Sequence, residues 1–375
     1  MLSVQEFLTK SDNPLTDLTE KYGIKIRDYP EDNLLMLNYH MIDSPKTDPI
    51  TMECRSLILD RTTYDVVSRK FNRFFNLGEN PEEYTDFDWD HCHIMEKADG
   101  SLIGVYYNPT TDRFEISSRS QAKCELDHEV LGNWKTALLD AFGFDSEELF
   151  QVFFKNVVDA TNITFVFEFI SPLNRIVTPY EKTEMVFLGG TYYDGKWLTK
   201  DIMEYFMHSY FTLLNIRLPE FYDIPADTNA LINLANNLPN LKEGFVLWDE
   251  NSNKRIKLKS TAYLVAHRLR GEDTKPTRKN IFTLIFTGEA DEFLVYFPEY
   301  KEFFDAANED INVVNDELNE VWKSVKNITD QKEFAMKVKD HRLSAIFFMA
   351  KKNNLHPVQI FHNMPVDKKV GYFLI

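Results

Sequence analysis

The chain has 375 residues, of which 43% are hydrophobic and 14% aromatic, and its net charge is −17. This amount of apolar side-chain surface excludes an intrinsically disordered chain, and the negative charge argues against non-specific adhesion to nucleic acid or anionic lipid. No segment approaches the ~18 apolar residues of a membrane span.

We expect a cytoplasmic, folded protein. The residues from Met1 to Thr9 lack the basic and apolar segments of a secretion signal. The three cysteines are widely spaced and form no Cys-x-x-Cys pair, which argues against both a disulfide framework and a structural zinc site.

The first two-thirds of the chain predict a mostly antiparallel α+β domain. Helical patterns over Leu126–Phe142, Glu147–Val158 and Thr199–Leu213 interrupt a larger number of strand-like segments. Because many consecutive strands lack an intervening helix, an antiparallel sheet is favoured over a doubly wound one. The predicted strands are rich in β-branched and aromatic residues and are Leu34–His40, Arg55–Asp60, Cys92–Lys97, Leu102–Tyr107, Arg113–Ser118, Ile163–Ile170, Glu184–Tyr192, Glu243–Asp249 and Arg255–Lys259.

The remainder of the chain predicts an all-helical C-terminal domain. After Lys259 apolar residues recur at helical spacing, and a strand is expected only at Tyr372–Ile375. We therefore predict a first domain over residues 1–262 and a second over residues 263–375. The second contains 16 basic and 17 acidic residues, but its end is basic, with ten basic against four acidic residues from position 321.

The sequence KADGS at residues 97–101, between two predicted strands, is the first candidate for chemistry. Asp99-Gly100 is also a hairpin-turn signal, so an exposed lysine beside a tight turn is the alternative interpretation. A second candidate is Glu168, the only charged residue in an otherwise apolar strand, since a buried carboxylate needs a cation, a metal or a hydroxyl group as partner.

Two lysines on one strand suggest an anion site. In KRIKLK at residues 254–259, a period of two places Ile256 and Leu258 on one face and Lys257 and Lys259 on the other. Neighbouring like charges repel unless they share an anion, and a phosphate is the favoured one. These cations would also lower the pKa of Lys97, so that it could act as a nucleophile.

Together these residues resemble the covalent nucleotidyltransferase superfamily of polynucleotide ligases and capping enzymes, and within it the phage RNA ligase 1 family. The resemblance covers roughly residues 38–267. The matching segments are KADGS at 97–101, FVFEF at 165–169, EGFV at 243–246, KLK at 257–259, ECR at 53–55, FFNL at 74–77, NRIV at 174–177, and KS at 259–260 followed by Tyr263 and His267. Two residues depart from the pattern: Arg73 replaces a lysine, and Leu37 replaces a tyrosine.

The resemblance implies an ATP-grasp-like nucleotidyltransferase domain followed by a helical domain. It implies that Lys97 is the nucleophile that is adenylated by ATP. Lys257 and Lys259 would act at the α-phosphate, and Arg55 and Arg73 would bind the ribose or the outer phosphates of ATP.

The remaining roles concern ribose and metal. Glu168 would bind the ribose or a metal ion, and Glu243 and Asp291 would bind a divalent ion, taken as Mg²⁺. Tyr263 would support the site just after the paired lysines.

The implied activity is ATP-dependent joining of RNA 5′-phosphate and 3′-hydroxyl ends by a monomer, in the host cytoplasm if the protein is phage-encoded. RNA repair, with tRNA as substrate, is the family's setting, and the segregated charge of the helical domain suits orienting such a polyanion. Two alternatives remain open. One is a DNA ligase or RNA-capping relative, although such an enzyme would continue into a β-rich OB domain. The other is an inactive module that binds RNA ends, against which the retention of all three lysines argues.

Overall fold

The computed structural model describes residues 1–375 except 41–43, 80, 129, 226, 240, 261, 264–275, 289, 291–292, 295–297 and 375. The chain divides into two compact units, Met1–Leu264 and Val265–Ile375. Among the described residues, no helix combines the length and the apolar character needed to cross a bilayer.

The first unit is rich in strands. Its helices are α1 Ser3–Lys10, α2 Pro14–Tyr22, α3 Pro49–Glu53, α4 Trp134–Phe142, α5 Glu147–Lys155, α6 Lys200–Ser209 and α7 Thr228–Asn236. Its strands are β1 Ile24–Tyr29, β2 Leu34–Tyr39, β3 Arg55–Asp60, β4 Val66–Ser68, β5 Phe75–Asn76, β6 His93–Glu96, β7 Ser101–Asn108, β8 Arg113–Ser117, β9 Asp127–His128, β10 Gly132–Asn133, β11 Ile163–Ile170, β12 Glu184–Tyr192, β13 Ile216–Arg217, β14 Phe221–Tyr222, β15 Gly244–Asp249 and β16 Lys254–Lys259.

These strands form three sheets and one small hairpin, β9–β10. The sheets have the orders β1-β2-β3-β4, β13-β12-β11-β7-β8 and β14-β6-β15-β16-β5. Neighbouring strands are antiparallel except for β12 with β13 and β16 with β5. The prediction of a mostly antiparallel α+β domain is therefore confirmed, and all nine predicted strands are present.

The two five-stranded sheets share one apolar core. Phe165 and Phe167 of β11 belong to the same buried cluster as Met95 of β6 and Trp248 of β15. Since β6 lies in one sheet and β7 in the other, the connection between them, residues 97–100, sits where the two sheets meet.

The predicted helix over Leu126–Phe142 is partly wrong. Its first half forms the β9–β10 hairpin, and the helix begins only at Trp134. The Asn133 side chain accepts a hydrogen bond from Thr136 N at 3.0 Å, and this cap fixes the start of the helix. Leu126 and Val130, which precede it at helical spacing, are each 60% exposed, so burial of an apolar face does not stabilise a helix over these residues.

The second unit contains only helices and turns among its described residues. The predicted strand at Tyr372–Ile375 is wrong, because Tyr372 and Phe373 close a turn after the last helix and Phe373 stacks on Phe282 with ring centroids 4.3 Å apart; position 375 lies outside the described residues. The helices are α8 Arg278–Thr287, α9 Lys301–Val325, α10 Gln331–Val338, α11 Ser344–Asn353, α12 Pro357–His362 and α13 Val366–Gly371.

Candidate functional site

Lys97 lies at the junction of the two five-stranded sheets. Its backbone N–H donates to the Gly244 carbonyl at 2.9 Å, and its Nζ lies 2.5 Å from Oε2 of Glu243. The side chain is 20% exposed. Because β6 and β7 belong to different sheets, residues 97–100 form no hairpin turn, and the alternative interpretation of an exposed turn lysine is wrong.

Asp99 anchors the segment that carries Lys97. One carboxylate oxygen accepts hydrogen bonds from the N–H groups of Val177 and Thr178, both at 2.8 Å. The other accepts from the Tyr263 hydroxyl at 2.7 Å, and the Tyr180 hydroxyl lies 2.8 Å from the Asp99 backbone nitrogen. Four groups from distant parts of the unit thus fix this buried residue.

We expect Asp99→Asn to lower the free energy of unfolding of the first unit by about 1–3 kcal/mol. An amide has a single acceptor oxygen, so either the Tyr263 hydroxyl or the two backbone N–H groups lose their partner. Chemical denaturation compares this variant with Asp340→Asn, whose side chain is almost fully exposed. Equal stability of the two variants would contradict the anchoring role.

Glu168 faces the same segment from β11. Its Oε1 accepts a hydrogen bond from Gly100 N at 3.1 Å. A Cβ added at Gly100 would lie 2.1 Å from the Phe169 carbonyl oxygen, so only glycine permits this close approach. Burial raises the pKa of Glu168 to about 8, although the charge of Lys97 opposes the shift.

Glu243 bridges two of the three lysines. Its Oε1 lies 3.0 Å from Lys259 Nζ, while Oε2 contacts Lys97. Burial by itself raises the pKa of Glu243, but the two lysines outweigh burial and the pKa is lowered. The Glu243 carboxylate therefore lies between Lys97 and Lys259, and not between Lys257 and Lys259, the pair for which the sequence predicts a shared anion.

Lys257 lies on the same face of β16 as Lys259, with Ile256 and Leu258 buried in an apolar cluster on the other face. Its Nζ lies 4.6 Å above the Phe74 ring centroid. Burial, together with nearby positive charges, lowers the pKa of Lys257 to about 7. A cation so poorly compensated is suited to a ligand anion.

The expected lowering of the Lys97 pKa is wrong for the ligand-free protein. Burial acts in that direction, but the charges of Glu243 and Glu168 and the hydrogen bond to Glu243 outweigh it, so the pKa of Lys97 is raised. The lysine whose pKa is lowered is Lys257, through burial first and then through the charges of Arg55, Lys97 and Lys259.

Two guanidinium groups extend the cluster, that of the half-buried Arg55 and that of the buried Arg73. Arg55 Cζ lies 5.2 Å from the Phe74 centroid, and Arg73 Cζ lies 4.6 Å from the Tyr39 centroid. In the described part of the chain, Nη1 of each arginine is buried without a hydrogen-bond partner. Such donors are costly unless an anion binds them, so they fit the phosphates of a nucleotide.

Tyr39 and Arg119 are site residues that sequence reasoning missed. Leu37 is buried in the core, but the Tyr39 ring, two positions later, lies beside Arg73. Arg119 donates to the Tyr39 hydroxyl at 3.3 Å, and no local pattern in the sequence marks it.

The remaining predicted residues divide between two cases. Tyr263 is buried; its hydroxyl donates to Asp99, and Lys259 Nζ lies 5.1 Å above its ring.

Asp291 lies outside the described residues, so its predicted role as a metal ligand stays a prediction. The described residues include no group of three or more His, Cys, Asp or Glu that could hold a metal ion. Magnesium commonly uses one or two carboxylates plus substrate phosphates, and Glu243 would supply such an oxygen only by giving up its contact with Lys97 or Lys259.

Comparisons with known proteins find similarity over the part of the chain that contains this site. A model of a family described as RNA ligase matches residues 53–264. A candidate bifunctional polynucleotide kinase/RNA ligase of Autographa californica nuclear polyhedrosis virus is 32% identical over 82% of this chain and 44% of its own, so the chain spans less than half of that relative. An RNA ligase of Rhodothermus phage RM378 is 22% identical over 84% of each chain. Among solved structures, an archaeal ATP-dependent RNA ligase is 14% identical with a TM-score of 0.49, covering 85% of this chain and 81% of that one.

Proposed function

The chain belongs to the RNA ligase family, and from that premise we propose that it is an ATP-dependent RNA ligase with a nucleotidyltransferase fold. The observation that carries the proposal is the convergence of one lysine amine, Lys97, with four further cations, of which, among the described residues, only Lys259 pairs with a carboxylate of the site, Glu243. These cations are Lys257, Lys259, Arg55 and Arg73.

In the first step Lys97 attacks the α-phosphate of ATP. Its Nζ forms a bond to phosphorus while the bond to the leaving pyrophosphate breaks, which leaves a lysine–AMP phosphoramidate. The ammonium group must first lose a proton, and Glu243 Oε2, 2.5 Å away, is the nearest acceptor. Lys257 and Lys259 stabilise the negative charge that builds on the phosphoryl oxygens.

Two further transfers complete ligation. An oxygen of the RNA 5′-phosphate attacks the AMP phosphorus and expels Lys97, which activates the RNA end. A 3′-hydroxyl then attacks that activated phosphate and expels AMP. Arg55 and Arg73 hold ATP through its ribose or outer phosphates, and Glu168 binds either the ribose or a metal ion.

Glu168 and Glu243, and Asp291 by resemblance, would hold Mg²⁺ together with phosphate oxygens. When bound, that ion neutralises phosphate charge and eases the departure of pyrophosphate.

The alternatives are less well supported. A DNA ligase or capping relative is expected to carry a β-rich OB domain after the paired lysines, whereas the described residues of the second unit are helical. An inactive RNA-end-binding module has no need of an amine clustered with phosphate-binding cations.

The direct test is incubation of the purified protein with α-labelled ATP and Mg²⁺. We expect label that remains on the protein after denaturation and passes to RNA bearing a 5′-phosphate. Labelling from α-labelled GTP instead would identify a capping relative, transfer only to DNA ends would identify a DNA ligase, and no covalent label from either nucleotide would identify a binding module.

A pH profile tests the titration of Lys257. The kcat/KM for lysine–AMP formation reports groups of the free enzyme. Wild-type Lys257 loses its charge above about pH 7, whereas arginine stays charged. We therefore expect the ratio of Lys257→Arg to wild type to be constant below about pH 6 and to rise above pH 7, towards tenfold per pH unit. A flat ratio up to pH 9 would contradict a catalytic charge on Lys257.

We assign RNA selection, with tRNA as the favoured substrate, to the helical second unit of a cytoplasmic monomer. Reversal of two exposed charges, Lys352→Glu with Lys368→Glu, should lower ligation of a cleaved tRNA relative to a simple oligonucleotide by about tenfold, within the range of electrostatic steering. Lys301→Glu, an exposed change before the basic end, is the control. An unchanged substrate ratio would remove the selection role from this surface.

A further inference from the structure

We propose that a pocket beside the catalytic cluster binds the 5′-terminal nucleotide of the RNA. The inference rests on the proposed function, since it names where that RNA end is held. The pocket has a volume of about 220 Å³. It is lined by Met52, Phe71, Asn72, Arg73, Phe74, Tyr84, Trp197, Ser252, Asn253, Lys254 and Arg255.

The pocket continues from the catalytic cluster along one strand. Arg255 lies on the same face of β16 as Lys257 and Lys259, and same-face neighbours on a strand are roughly 7 Å apart. Phe74 belongs to both regions, because it lines the pocket and its ring contacts Lys257 and Arg55. A phosphate bound in the pocket would therefore lie next to the position proposed for the α-phosphate.

The charge of the pocket fits an anion. None of the eleven described residues that line it is acidic, although the chain contains 59 acidic residues. In the described structure, Nη1 of Arg73 and Nε of Arg255 are buried without hydrogen-bond partners. A phosphate would supply the acceptors that these two guanidinium groups lack.

The aromatic wall fits a nucleobase in addition to a phosphate. Phe71 and Trp197 stack with centroids 4.9 Å apart, and Arg255 Cζ lies 4.4 and 4.6 Å from the two centroids. Trp197 is half-buried, so part of its surface remains available to a ligand. Unpaired RNA bases stack on aromatic rings and guanidinium planes, whereas the outer phosphates of ATP need only cations.

The size of the pocket and its neutral groups support the same ligand. A volume of about 220 Å³ is below the ~300–1,000 Å³ of complete small-molecule sites, so it suits one part of a larger ligand. The side chains of Asn72 and Asn253 offer donors and acceptors for a base or a ribose.

The test measures binding of a short single-stranded RNA by fluorescence anisotropy, without ATP and at fixed salt. The probes are the same RNA with a 5′-phosphate or a 5′-hydroxyl. We expect the wild type to prefer the phosphorylated RNA. Trp197→Ala should weaken binding of both RNAs about tenfold, as the loss of one base–aromatic stack does, while Trp197→Phe should retain most of the affinity. Arg255→Gln should abolish the preference for the 5′-phosphate.

The controls are Trp89→Ala and Arg113→Gln, whose exposed side chains lie outside the pocket and which should bind both RNAs as the wild type does. Wild-type affinities in Trp197→Ala and Arg255→Gln would overturn the proposal. A raised KM for ATP in lysine–AMP formation, with RNA affinities unchanged, would assign the pocket to the outer phosphates of ATP and would also overturn it. Absence of lysine–AMP in the wild type would refute the ligase mechanism, but the RNA-binding results would still test the pocket, because they are measured without ATP.

Discussion

Lys97→Ala should abolish covalent labelling of the protein by α-labelled ATP. In the proposed mechanism the Lys97 nitrogen bonds to phosphorus, and among the described residues no other lysine occupies the junction where residues 97–100 join the two sheets. Labelling and denaturing electrophoresis measure the result directly. Tryptic mapping of wild-type protein should place the label on the peptide that contains Lys97.

A matched variant separates the loss of the nucleophile from the loss of the ion pair with Glu243. Lys97→Arg keeps a positive charge opposite Glu243, but its guanidinium is not deprotonated at accessible pH and cannot act as a nucleophile. We expect this variant to be unlabelled while its thermal unfolding stays close to that of the wild type. Persistent labelling of either variant would remove Lys97 from the nucleophile role, whereas unfolding of Lys97→Ala but not of Lys97→Arg would show that the ion pair with Glu243 also supports the structure.

The features that sequence predicted well are local. A period of two in residues 254–259 is enough to place Lys257 and Lys259 on one face, because side-chain direction in a strand alternates whatever the neighbours are. Likewise, the apolar run of β11 interrupted by Glu168 indicates a strand without knowledge of its partners. The bounds of β11 and β12 agree with prediction because both strands are buried and strongly patterned.

The features that sequence could not predict depend on distant partners. The pKa of Lys97 is set by Glu243, which is 146 positions away and reaches it only through the pairing of β6 with β15. The sequence marks both residues as candidates but contains no information on their distance. Tyr39 and Arg119 escape prediction for the same reason. Tyr39 lies in the predicted strand Leu34–His40, but its importance, like that of Arg119, comes from side chains that tertiary packing places beside it.

The surroundings of Arg255 also depend on distant partners and could not be predicted from the sequence. Phe71, Trp197 and Trp248, from three separate segments, all lie within 5 Å of its guanidinium carbon. From sequence alone Arg255 is one more charge in a basic strand, and its burial would not be expected. Only the packing of the sheets shows that the row of cations on β16 continues into an aromatic pocket.

Substitutions of Lys257 and Lys259 should differ in their effect on stability, although we propose the same catalytic role for both lysines. Lys257→Met and Lys259→Met should each lower the rate of lysine–AMP formation by about 10² or more, if each lysine supplies roughly 2.7 kcal/mol of transition-state stabilisation.

The two variants should differ in thermal stability. Lys259 pairs with the buried Glu243, so its loss should lower Tm. Lys257 is a half-buried cation whose pKa is lowered to about 7 by burial and by nearby positive charges, so an apolar side chain of similar length should leave Tm unchanged or raise it. Rapid-quench labelling and thermal unfolding, with the exposed Lys25→Met as control, measure both quantities. Normal rates in both variants would contradict the shared-phosphate role, and a large loss of Tm in Lys257→Met would show that this lysine is structural.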